Sequence, residues 1–103
     1  QTKSIYEGLD MYSEVSIERR LKKEVEKIGG KALKFVSPGT AGVPDRMVLL
    51  PGGRMFFVEL KAPGKELRAL QQLRKKQLEK LGFKVLVIDT VEKIQQFIEE
   101  VVL

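Results

Sequence analysis

The chain contains no cysteine and no histidine. Without thiols it forms no disulfide framework and has no sulfur nucleophile, and without either residue it cannot build a zinc knuckle. The imidazole general base is missing too. The only tyrosines, Tyr6 and Tyr12, both lie in the polar N-terminal stretch, where a tyrosine nucleophile is not expected. No apolar run approaches the ~20 residues that a membrane helix requires, and the N-terminus lacks the apolar region of a secretory leader. The protein is therefore expected to be intracellular. Its chemistry must rest on carboxylates, lysines, hydroxyls and hard metal ions such as Mg²⁺.

What is present is a chain of 103 residues, 43% apolar and 32% charged, enough for one domain with a modest core. The net charge is +5; Lys3, Glu7 and Asp10 contribute −1, so the chain from Met11 onward carries +6. A basic surface suggests a polyanionic partner such as nucleic acid, with ordinary solubilising charge as the alternative. Residues 1–10, QTKSIYEGLD, have no amphipathic pattern and precede a methionine. They read as a disordered leader or a remnant foreign to the natural protein, with residues 11–103 forming the single domain.

From Ser13 to Ile28 the pattern is helical. Ile17, Leu21, Val25 and Ile28 share one face, Ser13 is a plausible N-cap, and Gly29-Gly30 ends the segment. Residues 32–36 (ALKFV) read as a short strand, followed by the loop SPGTAGVP. RMVLL and MFFVELK are two strands joined by Pro51-Gly52-Gly53, a hairpin signal. A second helix is predicted over 65–81, with Leu67, Leu70, Leu78 and Leu81 as its apolar stripe. KVLVID reads as a buried strand, and Thr90 caps a last helix reaching Val101. The order α-β-β-β-α-β-α implies an α/β fold, a mixed sheet flanked by helices.

The hairpin holds an anomaly. Alternate strand residues share a face, so Phe56, Val58 and Leu60 point one way while Phe57, Glu59 and Lys61 point the other. Glu59 and Lys61 are then neighbours at roughly 6.5–7 Å between Cα atoms. Asp45, which begins the partner strand, arrives at the same end of the sheet. Two converging carboxylates repel and call for a cation or a shared proton. With no histidine or cysteine, oxygen ligation of Mg²⁺ or Mn²⁺ is the natural outcome. A Lys–Glu ion pair with Asp45 as a turn residue is the plainer alternative.

Two further anomalies lie on the helices. On a wheel at about 100° per residue, Glu14 falls inside the first helix's apolar stripe, between Leu21 and Val25, while Glu18 lies on its edge. Glu14 is thus expected to face inward and meet a partner from the sheet, unless the first turn overhangs the sheet and Glu14 only favours the helix dipole. In the second helix Gln71 and Arg74 fall in the apolar sector. Arg74 is read as snorkelling along the core edge, and Gln71 as facing the acids. The rest of that region is basic, with Lys65, Arg68 and Lys75 among its cations.

The segment GVPDR…FVELK…Q…LEKLGFKVLVID resembles the VRR-NUC branch of the PD-(D/E)XK nuclease superfamily, from about Glu14 to Ile98. The family's core, α-β-β-β-α-β, agrees with the order read above. The resemblance places the proline-aspartate motif on Pro44-Asp45 and the ExK pair on Glu59 and Lys61. It sets the helical glutamine on Gln71 and the N-terminal helix glutamate on Glu14, with Glu18 the less favoured candidate. It implies a metal held by Asp45, Glu59 and the Leu60 carbonyl, with Lys61 acting on the attacking water. The namesake Val-Arg-Arg is not spelled out; the chain reads Val-Glu-Leu-Lys there. What the resemblance implies is a Mg²⁺- or Mn²⁺-dependent DNA endonuclease of the compact, stand-alone phage type. Such an enzyme would be selective for branched DNA such as four-way (Holliday) junctions and would act as a homodimer, with Lys65, Arg68 and Lys75 tracking phosphates. A non-catalytic or partner-dependent DNA-binding module on the same fold is the rival expectation.

Overall fold

The computed structural model describes residues 13–102. The expectations for residues 1–10, Met11 and Tyr12 lie outside the described residues. The first helix, α1, spans Glu14–Lys27, and Ser13 caps it by accepting a hydrogen bond on Oγ from the Ser16 amide at 3.1 Å. Ile17, Leu21 and Val25 are fully buried, as their spacing predicts.

Four strands follow, β1 (Lys31–Lys34), β2 (Arg46–Leu50), β3 (Arg54–Leu60) and β4 (Val85–Ile88). They lie in the order β1-β2-β3-β4, the first two pairings antiparallel and the last parallel. Consecutive positive φ angles at Gly52 and Gly53 turn the β2–β3 hairpin, a conformation that side chains with a Cβ rarely adopt. Helix α2 (Ala69–Lys80) makes the crossover that a parallel β3–β4 pair requires, and α3 (Val91–Val101) closes the chain under a Thr90 cap. No described helix is long and apolar enough to cross a membrane.

The two faces of the sheet are covered unequally. Val48, Leu50, Val58, Leu60 and Ile88 point to one face and pack on α1 and on Ile94, Phe97, Ile98 and Val101 of α3. Each such aliphatic side chain contributes roughly 1.5–3 kcal/mol of burial, and this face is the core. On the other face Phe57 packs between Phe35, tilted against it, and Phe83, edge to face, with ring centroids 5.5 Å apart in both pairs. Helix α2 touches the sheet chiefly at β4.

Helix α2 departs from the expectation in two ways. It begins at Ala69, not at 65, because the turn at Pro63-Gly64 is followed by backbone without regular structure up to an extended Arg68. Lys65 therefore sits in the loop, and Arg68 at the N-cap position. The predicted leucine stripe holds only in part, since α2 has no fully buried residue; Leu67 and Leu78 are half-buried, but Leu70 is 41% exposed and Leu81 73%. The helix is rotated so that Gln71, Arg74, Lys75 and Leu78 are its half-buried residues. The polar residues in the apparent apolar sector mark the face turned to the protein.

Candidate active site

Pro44 has no amide hydrogen to donate, and the β2–β3 ladder begins just after Asp45, at Arg46 opposite Val58. Where that pairing stops, the Asp45 side chain takes over, accepting on Oδ1 from the Leu60 amide at 3.2 Å. The carbonyl of an extended residue leaves the strand on the same edge as its own N–H, so the Leu60 carbonyl is directed to the Asp45 side. Strand β3 holds its line because its other edge stays paired, the Lys61 amide donating to Ile88 O at 3.0 Å.

Glu59 is 6% exposed on the face opposite the core. Its Oε2 accepts from Gln71 Nε2 at 2.9 Å and lies 3.6 Å from Lys61 Nζ. Gln71 is itself held, since its Oε1 accepts from the Arg68 amide at 2.9 Å, so one side chain both steadies the start of α2 and orients the carboxylate. Burial, and then the proximity of Glu59, push the Asp45 carboxyl up to about 7. Burial raises Glu59 as well, against the pull of Lys61. Both carboxyls therefore resist ionisation, Asp45 partly because Glu59 is near it.

Most of the residues singled out in the sequence are brought together in one place. Glu14, Asp45, Glu59, Leu60, Lys61, Arg68 and Gln71 line one open cleft of about 380 Å³, with Gly42 and Val43 at its rim. Glu14 reaches this cleft from an exposed position at the start of α1, so the expectation that it is buried is overturned. As the first helical residue it overhangs the sheet, and the overhang points at the acids; Glu14 adds to the charge that raises Asp45. Glu18 does something else. It pairs with Arg46, which is 8% exposed and also donates from Nη1 to Asp45 O at 2.8 Å. Lys65 does not line the cleft, and Lys75 is tied to Glu79 at 2.9 Å.

Two asymmetric contacts went unread in the sequence. Gly42 has φ +85°, and a Cβ there would lie 2.7 Å from Leu70 Cγ and 3.0 Å from Leu70 O, so the loop before Asp45 presses backbone on backbone against α2. Arg74 donates from Nε to Ala41 O at 2.8 Å. The glycine of GVPD and the cation in the apolar sector were the available signals.

Asp45, Glu59 and the Leu60 carbonyl form a hard oxygen donor set. No group of three or more acidic, histidine or cysteine side chains suited to a metal occurs among the described residues. The set suits an ion such as Mg²⁺, which binds through one or two carboxylates and fills its shell with water and phosphate.

No family model matches the chain. It is 53% identical over 77 residues to "Putative nuclease p44" of Acyrthosiphon pisum secondary endosymbiont phage 1, covering 75% of this chain and 83% of that protein. A solved VRR_NUC domain superposes with a TM-score of 0.80 at 28% identity, covering 85% of this chain and 96% of the domain.

Proposed function

Because the chain belongs to the VRR-NUC family of nucleases, we propose that it is a divalent-metal-dependent DNA endonuclease acting through the cleft around Asp45 and Glu59. The observation that carries this reading is the meeting of a buried Glu59 with a half-buried Asp45 at one sheet end, with Gln71 and Lys61 both on Glu59 Oε2. Asp45, Glu59 and the Leu60 carbonyl would hold Mg²⁺ or Mn²⁺, which supplies Lewis acidity and a more acidic water. Lys61, an ammonium beside Glu59, would orient that water and offset charge developing on the phosphate oxygens, while the water's proton passes to solvent. Gln71 keeps the Glu59 carboxylate aimed, and Glu14 contributes a further anionic contact at the mouth. Water adds at phosphorus as the bridging P–O bond breaks. Incubating linear, flapped and four-way-junction DNA with Mg²⁺, Mn²⁺ or EDTA tests the proposal; cleavage in excess EDTA would exclude it.

The substrate is branched DNA, and the active unit is a homodimer. Arg68 at the cleft and Lys65 in the neighbouring loop would contact backbone phosphates, which position DNA without reading its sequence. Lys75 contributes less than its sequence position suggests, being paired with Glu79. Support for a dimer comes from exposed apolar residues on the thinly covered side, among them Leu33, Leu70, Leu73 and Phe83. A two-fold dimer would present two identical clefts to equivalent arms of a junction. Light scattering is expected to give twice the chain mass, and a supercoiled cruciform is expected to yield linear product. A monomer, or nicks alone, would remove the paired-cut part of the reading.

The two helix acids separate cleanly in this scheme. Glu14→Gln is expected to slow cleavage about 10-fold or more with little change in Tm, because its exposed side chain anchors nothing. Glu18→Gln is expected to cost ~1–2 kcal/mol of stability by weakening the partner of a buried guanidinium, while cleavage per folded molecule persists. Thermal melts and single-turnover rates on both variants decide it. An inactive Glu18→Gln protein with a normal Tm would reverse the assignment.

A further inference from the structure

Helix α2 carries Gln71 to the cleft, yet it buries no side chain of its own. What seats it there is a short set of contacts in its first two turns. Gln71 reaches Glu59 at 2.9 Å, Leu70 lies against Gly42, and Arg74 donates to Ala41 O at 2.8 Å. The Arg74 guanidinium is braced in turn, its Nη1 donating to Gln77 Oε1 at 3.1 Å. Ala41 stands four residues before Asp45, in a loop with no regular structure between Phe35 and Arg46. The two carboxyls of the cleft thus come from separate parts: Glu59 from a strand held by its pairing with β4, Asp45 from the end of a loop.

We propose that Arg74 is a positioning residue that ties the Asp45 loop to helix α2 and so sets the spacing of Asp45 against Glu59. Arg74 does not line the cleft, so it acts through Ala41 and the four residues that follow. A carbonyl accepting from a guanidinium is a strong, directional contact, and it closes a ring of interactions running Arg74, Ala41, Asp45, Leu60, Glu59, Gln71 and back along α2. Opening that ring leaves the charges of the cleft intact but lets the loop drift. A displacement of about 1 Å can lower a rate ~100-fold without weakening substrate binding.

The inference rests on the nuclease reading, and its test keeps the two apart. Arg74→Ala is compared with Lys76→Ala, which removes the same charge from an exposed site on the same helix. Arg74→Ala is expected to lower kcat 10- to 100-fold, with KM and DNA affinity in EDTA within about twofold of Lys76→Ala. Arg74→Lys, which keeps the charge and one donor, is expected to fall between Arg74→Ala and wild type. Low-millimolar guanidinium is expected to restore several-fold activity to Arg74→Ala and none to Asp45→Asn. An unchanged kcat in Arg74→Ala, or an equal loss in Lys76→Ala, would overturn the proposal. If Arg74→Ala does not fold, wild-type kcat in a folded Arg74→Lys protein would overturn it too. Should the wild type cut nothing, the nuclease reading fails by itself. The positioning claim is then read from Mn²⁺-induced thermal stabilisation, expected to be smaller in Arg74→Ala than in Lys76→Ala, and equal values would refute it.

Discussion

Asp45→Asn is expected to lower DNA cleavage by ~10³-fold or more while leaving the fold intact and DNA affinity in EDTA equal or higher. The substitution is nearly isosteric, and the asparagine carbonyl still accepts the Leu60 amide that Asp45 Oδ1 accepts at 3.2 Å. What it removes is one of the two carboxylates proposed to hold the metal, in a cleft whose third acid, Glu14, lies at an exposed position and which has no histidine or cysteine to replace it. Affinity does not fall, because a negative charge near the phosphates is lost. Glu59→Gln is expected to behave alike, since its carbonyl oxygen still accepts from Gln71 Nε2 while the charge facing Lys61 disappears. Single-turnover cleavage and filter binding on the same preparations separate the two effects. Undiminished cutting by Asp45→Asn would remove this carboxylate from the chemistry.

The core was largely legible because one periodicity governs each of its elements. Ile17, Leu21 and Val25 repeat every four residues on a helix that buries a single stripe, and Val58 and Leu60 alternate with Glu59 on a strand with two unlike faces. The site was legible for the opposite reason. Glu59 breaks an apolar strand and Gln71 breaks an apolar helix sector, and both breaks meet at 2.9 Å. What failed was orientation where packing is slight. The leucines of α2 satisfy helical spacing, but the helix covers little of the sheet, so hydrophobic periodicity does not decide which side faces in. Gln71 and Arg74 decide it through polar contacts with Glu59 and Ala41, and hydrophobicity is blind to those. Glu14 failed as a buried residue because a wheel has no ends; the first turn of α1 projects past the core that the later turns bury. The helix start slid from 65 to Ala69 because Gln71 meets the amide of Arg68, a local closure that spacing does not reveal.

The same carboxyls carry a stability signature that needs no substrate. Asp45 is raised from 3.8 to about 7 by burial and by Glu59. A carboxyl whose folded-state pKa exceeds its unfolded value stabilises the fold while it is protonated. That contribution is complete below the unfolded pKa and is lost as pH rises through the folded one, here between about pH 4 and 7. In EDTA the Tm advantage of Asp45→Asn over wild type is therefore expected to grow from pH 5 to pH 8. Asp45 is partly open to solvent, so the growth is of order 1 kcal/mol, about 4–8 °C, well below what the full shift would imply. Mn²⁺ should reverse the order. A tenfold excess over Kd stabilises wild type by about 1.4 kcal/mol, and more at pH 8 than at pH 6, because the ligands must first lose their protons. Asp45→Asn, lacking the anionic oxygen, should gain little. Scanning calorimetry of both proteins at pH 5, 6 and 8, with EDTA or Mn²⁺, supplies every comparison. Equal Mn²⁺ stabilisation of the two proteins would place the cation elsewhere, whereas a Tm difference that stays flat with pH would show that Asp45 ionises freely in the folded chain.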